Sequence, residues 1–259
     1  MLRHFLYLDN DQLDQYVSQV EDGLRQSVSR LNSTEKSKGG KVDVKLAAAN
    51  AGTTNQEQSD AAFADTPAAR FERLTSLVSG NEDQFGWVEI LQESDLQGVR
   101  SGNLIDVTAE IYEPEIVAAF GAKGLMSALP LVKALSAGMG GPGLTNMPKP
   151  EQLDAMAQFS AAMPEGLLQG DVVDSDWTII GRLSASGNPK DIEGDARVVG
   201  KVTKVWGTGQ WRPIPGLPVV SNFSRQQKRE YERKGPDEGS RMMWIEGPAI
   251  ELDILAVYR

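Results

Sequence analysis

The side chains best placed to do chemistry form a basic run late in the chain. Arg225, Lys228 and Arg229 share one face of a predicted helix, and Arg233 continues that face one turn further on. Only Glu230 and Glu232 oppose them locally. Cations gathered this way can hold a phosphate, a nucleic-acid backbone or an acidic partner. A solvated charged helix explains the same run without any ligand. Aromatic residues beside it are limited to Phe223 and Tyr231, thin support for base stacking.

Other constellations yield no site. Asp9, Asp11 and Asp14 suggest calcium, but Leu13 stands where an oxygen ligand belongs and the sixth position is not Gly. Helix capping accounts for them better. His4 is the single histidine, which removes His-paired metal centres and confines any Ser-His-Asp triad to a residue flanking a predicted strand. The sequence has no cysteine, so it has no thiolate nucleophile and no Cys-based metal site. Gly138 to Gly143 spells G-x-G-x-x-G, but it follows a predicted helix and holds Pro142 in its turn, so it reads as a linker. Glu89, Glu110, Glu251 and Asp253 fall in predicted strands, and nothing marks one of them as a general acid or base. Trp87, Trp177, Trp206, Trp211 and Trp244 could line a ligand pocket, although core packing is the ordinary fate of such residues. No catalytic, cofactor-binding or metal-ligating residue is assigned. Arg225, Lys228, Arg229 and Arg233 are the one candidate anion- or partner-binding site.

A chain of 259 residues with 40% hydrophobic and 24% charged residues is globular in composition. Its net charge of -10 argues against a nucleic-acid coat, though a local basic patch can still make a phosphate contact. Absence of cysteine fits a reducing interior and a cytoplasmic location. The apolar run at the start is too short for a signal peptide. Gly121, Lys123, Gly124, Pro130 and Lys133 interrupt the apolar stretch 115–135, which argues against a membrane span. Core packing is expected there, with an interfacial or partner-facing helix as alternatives.

The elements that must position these residues can be read from periodicity. Phe5–Asp9 is a short strand. Leu13, Tyr16, Val17, Val20, Leu24, Val28 and Leu31 mark a helix over 10–31. Thr66 caps a second helix with Pro67 at its first position, and Gly80 ends it. Strands follow at 87–91 and 102–112, a helix at 115–135, and a polar helix at 151–163. Further strands are expected at 177–183 and 196–206. In the latter, Val198, Gly200, Val202, Lys204 and Trp206 share a face. The proline run 211–218 cannot be a central strand. Ser221 and Asn222 cap the basic helix, and a final strand occupies 248–259. The expectation is an α+β fold, with a mostly antiparallel sheet that contains the N- and C-terminal strands side by side and is covered by helices. The stretches 87–107 and 177–199 match well enough to raise a duplicated β-unit, and coincidence explains them equally. Residues 1–259 read as one composite domain with mobile segments at 32–64 and 138–150. A sub-division into 1–137 and 165–259 stays open.

Several blocks resemble an uncharacterised bacterial family, a domain of unknown function. They are Phe5-Leu-Tyr-Leu-Asp9, Leu13-x-x-Tyr16-x-Ser18-Gln19 with Gly23, Thr66-Pro67 leading to Phe71-x-x-Leu74, Val199–Lys204, Gly247–Ile250 and Ala256–Arg259. The resemblance implies no activity and no site. It implies that both ends belong to the folded domain.

Two function classes stand. One is a non-enzymatic binding or regulatory protein, a sensor or adaptor that engages a protein partner or a second copy of itself. The other is a nucleotide- or phosphate-binding protein or enzyme that uses the basic helix at 225–234. No cofactor is implied.

Overall fold

The computed structural model describes residues 3–21, 66–121, 150–184, 189–218 and 223–259. The expected mobile segment 32–64, that at 138–150 apart from Pro150, the glycine motif at 138–143 and the later parts of the 10–31 and 115–135 helices lie outside those residues. The protein divides into two compact units, residues 10–81 and residues 1–9 with 82–259.

The smaller unit contains helix α1 (10–21) and helix α2 (Pro67–Val78). Leu13, Val17 and Val20 of α1 and Phe71, Leu74 and Val78 of α2 are buried at the 3.6-residue spacing their sequence dictates. The Thr66 hydroxyl accepts from the Ala69 amide at 3.2 Å, capping α2 as expected. The helix stops at Val78, with Ser79 as its C-cap and Gly80 just beyond, as expected. The Asn81 side-chain amide donates to the Leu77 carbonyl at 3.0 Å, so a polar side group rather than Gly80 satisfies the last turn. Asp14, one of the acidic trio, pairs with Arg70, and Glu21 pairs with Arg73 at 3.4 Å.

Among the described residues, the larger unit is built on nine strands: β1 (Phe5–Leu8), β2 (Trp87–Glu89), β3 (Leu104–Tyr112), β4 (Leu167–Val172), β5 (Thr178–Arg182), β6 (Gly194–Trp206), β7 (Trp211–Pro213), β8 (Trp244–Glu246) and β9 (Ala249–Tyr258). Its helices there are α3 (Glu82–Phe85), α4 (Glu93–Leu96), α5 (Glu115–Phe120), α6 (Pro150–Ala161) and α7 (Arg225–Lys234). β3, β4, β5, β9 and β6 pair in turn, and β6 returns to β3, which closes a five-stranded barrel. The two terminal strands do pair. β1 lies antiparallel to β9, with Phe5 opposite Tyr258 and Leu8 opposite Ala256. β2 adds to β3 in parallel. Numbered in sequence order, the barrel strands run first, second, third, fifth, fourth around the circle, and the third and fifth are parallel. This is the Greek-key order of oligonucleotide- and oligosaccharide-binding barrels; strand order alone carries no function.

β4 is absent from the sequence reading. Gln169, Gly170 and Asp171 at its centre are poor strand formers, yet this strand closes the barrel. Gly170 is required by space. A Cβ there would lie 2.6 Å from Ile111 Cδ1, and one on Gly181 would lie 2.6 Å from Ile254 Cγ1. These glycines let isoleucines of neighbouring strands fill the interior. Ile105, Val107, Leu168, Ile179, Val198, Ile250 and Leu252 belong to the same buried cluster. The expected alternation in β6 fails after Val202. Register shifts between Val199 and Gly200 and between Val202 and Lys204 move the later residues by one, so Val205 packs on the barrel core while Lys204 meets Glu251 and Trp206 joins a second core. The duplicated β-unit finds no support in the pairing: β2 lies beside β3, whereas β9 separates β5 from β6.

The second core lies on the outer surface of the barrel. Leu167, Ile180, Trp206 and Ala249 pack there with Ile116, Val117 and Met163 from the β3–β4 connection and with Ile214, Leu217 and Ile245 from the β6–β9 connection. The Trp206 indole N–H donates to the Ile245 carbonyl at 3.3 Å. The face of the second and third strands, which barrels of this order commonly offer to ligands, is therefore partly covered by the protein's own connections.

Candidate functional site

Among the described residues, three polar constellations and one cleft compete as sites. The first joins four strands. The Asp106 carboxylate on β3 accepts from Arg197 Nε at 2.9 Å through Oδ1 and from the Tyr258 hydroxyl at 2.9 Å through Oδ2. Arg197 also reaches Glu89 on β2 at 2.9 Å. The Asp106 side chain is only 5% exposed. Burial pushes its carboxyl above the ordinary carboxylate range, against the pull of Arg197 and the Tyr258 hydroxyl. Burial, then the charge of Asp106, pushes the Tyr258 phenol up to about 12. Arg3 lies 5.1 Å over the Tyr258 ring. Both carboxylate oxygens already have donors, so the arrangement is suited to tying β2, β3, β6 and β9 together.

The second constellation lies between β1 and the residues just past the end of β5. The Ser184 amide donates to the Tyr7 hydroxyl at 2.8 Å, and that hydroxyl lies 2.9 Å from Ser184 Oγ and 3.3 Å from Asp9 Oδ2. Burial raises the Tyr7 phenol. The third lies on the barrel exterior. Gln169 donates to the Tyr112 hydroxyl at 3.0 Å, and Tyr112 and Thr178 donate to Asp171 at 3.1 and 3.3 Å. Each of these groups is engaged with a neighbouring strand.

The cleft is different. It has a volume of about 500 Å³ and is formed where the β6–β9 connection leaves the barrel. Lys204 and Glu251 come from β6 and β9, Arg212 from β7, the turn Pro213–Pro218 forms one wall, and Lys228 and Glu232 come from α7. The sequence positions α7 in a readable way. Ser224 Oγ accepts from the Gln227 amide at 3.2 Å and the Gln227 side-group oxygen accepts from the Ser224 amide at 2.9 Å, a capping box. The cap is thus Ser224; Ser221 and Asn222 lie outside the described residues. Gly235, with φ of 82°, ends the helix, and its amide donates to the Tyr231 carbonyl at 2.9 Å. Tyr231 packs edge-on against Trp244, ring centres 5.4 Å apart, and against Phe223 at 5.6 Å. That contact fixes which side of the helix faces the protein.

The four predicted cations therefore separate. Arg225, Arg229 and Arg233 are exposed, while Lys228 is half-buried and lines the cleft. Lys234 pairs with Glu230 at 2.9 Å. The structure brings to Lys228 two cations outside the predicted set, Lys204 and Arg212, each paired with a carboxylate at 2.7 Å, Glu251 and Glu232 respectively. Glu251 lies on a strand face that meets a basic group. Of the tryptophans, Trp87, Trp206 and Trp244 are buried and Trp211 carries Arg241 over its ring at 5.2 Å; none lines the cleft. Among the described residues, no group of three or more His, Asp or Glu residues is arranged to hold a metal, and no helix is long and apolar enough to cross a membrane.

A family model described as a domain of unknown function (DUF6414) matches residues 2–258. No curated protein and no solved structure matches the sequence.

Proposed function

We propose for this chain, which belongs to the DUF6414 family, that it is a non-enzymatic regulatory binding protein of the bacterial cytoplasm, a sensor or adaptor that engages a protein partner. The observation that supports this most is the cleft. It sets Lys204, Arg212 and Lys228 against Glu232 and Glu251, a local excess of positive charge on a protein whose net charge is -10. Such a contrast favours an anionic partner segment and steers its approach. The other polar constellations serve strand-to-strand ties, and the barrel face used for ligands in folds of this order is partly covered by internal packing. A second reading, a phosphate-bearing small ligand, draws on the same three cations.

The test is site-specific photocrosslinking in cells, with the crosslinker placed at position 215, which lines the cleft and leaves its charges in place, or at the exposed position 225. The expected result is a discrete protein adduct from 215 alone. The purified partner should then bind in a salt-sensitive way, weakened by Arg212→Glu. Equal adducts from both positions, or none, would overturn the partner reading. A salt-sensitive stabilisation by nucleotides that is lost in Arg212→Glu would favour the second.

A further inference from the structure

The cleft also carries information about the chemistry of its occupant, which rests on the reading that it is a binding site. Two of its three cations already hold carboxylates, Lys204 to Glu251 and Arg212 to Glu232, both at 2.7 Å. Lys228, half-buried at the same surface, makes no ion pair among the described residues. One charge is thus available without breaking a pair. Among the lining residues, a phosphate dianion or a polyanion would gain a second cation only by separating Lys204 or Arg212 from its carboxylate. A nucleobase would find no aromatic ring among the lining residues. The opposite wall is aliphatic, with Pro213, Pro215, Leu217 and Pro218 along it. Within that wall Gly216 turns with φ of 81°, and its Cα lies beside Arg182 and Pro164. An aliphatic wall of prolines, whose φ is already restricted, suits an extended apolar segment and loses little freedom on binding it.

We propose that the cleft takes a single carboxylate carried on a short apolar peptide segment, with the carboxylate on Lys228 Nζ and the aliphatic body along Pro213–Pro218. The carboxylate has two sources, the free C-terminus of a polypeptide or an Asp or Glu residue, and capture of either by a cation beside a peptide groove is a recurrent mode of recognition.

The test uses the full-length protein and four immobilised tetrapeptide libraries of apolar composition. These are free-acid, amidated, amidated with one Asp or Glu, and amidated with one phosphoserine. A carboxylate-bearing library should bind on the order of tenfold more tightly than the neutral amidated one. Preference for the free-acid set identifies a peptide terminus, and preference for the Asp/Glu set an acidic side group. Lys228→Met, which keeps the aliphatic stem and removes the charge, should abolish the preference. Glu232→Gln frees Arg212 and should tighten binding, a gain that a folding defect cannot produce. Preferential binding of the phosphoserine library, dependent on Lys228, overturns the single-carboxylate inference and leaves the cleft as a binding site. No library above the neutral one, together with no adduct from a crosslinker at 215, overturns both.

Discussion

Replacing Tyr258 by Phe isolates one hydrogen bond at the point where four strands meet. The ring is 4% exposed, and the substitution keeps its contacts with Phe5, at 5.7 Å between centres, and with Arg3. What is lost is the 2.9 Å bond to Asp106 Oδ2, which belongs to a side chain only 5% exposed and so cannot turn to water. Hydrogen bonds to charged groups contribute about 1.5–3 kcal/mol, and an orphaned buried acceptor sits at the upper end, so a loss of about 2–3 kcal/mol is expected. For a protein of this size that lowers Tm by roughly 5–10 °C. All five tryptophans lie within 82–259, so their emission during urea unfolding reports on the barrel unit. A double-mutant cycle with Asp106→Asn should show a coupling of at least about 1 kcal/mol. The pH dependence gives a second reading. The folded carboxyl has a raised pKa, so the folded state holds the proton more readily than the unfolded one. Its contribution to stability is full below the ordinary carboxylate value and is lost as pH rises through the folded value. Asp106→Asn should flatten that part of the stability profile. If Tyr258→Phe unfolds within about 0.5 kcal/mol of the wild type, a surface-like effect, the assignment of a strand clasp is wrong.

Other perturbations test the rest of the fold. Gly181→Ala places a Cβ 2.6 Å from Ile254 Cγ1 and 2.7 Å from the Leu252 carbonyl, and should cost about 2–3 kcal/mol in urea unfolding, partly recovered by Ile254→Val. Lys204→Ala breaks a pair whose lysine is 58% exposed, and should change stability by less than about 0.5 kcal/mol. Ser224→Ala removes half of a capping box and should cost α7 about 1 kcal/mol, seen as faster amide exchange over 225–234. Deletion of Asp253–Arg259 removes the partner of β1 and most of the barrel closure on β6. The truncated protein should show no cooperative tryptophan transition, and a sharp one would refute the role given to β9.

Much of the fold is readable from period-two patterning, because Ile105, Val107, Ala109 and Ile111 alternate with Leu104, Asp106 and Thr108 and do face the barrel interior. Terminal pairing is readable for the same reason. Barrel closure is not, because it depends on Gln169-Gly170-Asp171, whose local preference opposes a strand and is overridden by packing against Ile111. The later half of β6 escapes because a bulge leaves no mark in an alternating sequence such as Val202–Trp206. At the site, Lys228 is visible as a member of a basic face. Its separation from Arg225, Arg229 and Arg233 follows from Tyr231 docking on Trp244, a contact thirteen residues away in sequence. Lys204 and Arg212 carry no signal beyond being single cations. Asp106, a charge in the middle of a strand, is the one mark of the clasp, and its partners lie 91 and 152 residues further on.

β9 pairs along one edge with β6 and along the other with β5 and β1, and it follows all of them in the sequence. During synthesis those strands leave the ribosome before the strand that joins them. Until it emerges, β5 and β6 present open edges to the crowded cell, the condition in which nascent β-proteins associate wrongly. Production of this protein is therefore expected to be limited by the handling of its nascent form: slower translation of β9, or loss of a holding chaperone, should lower the soluble yield without altering the stability of the molecules that finish folding.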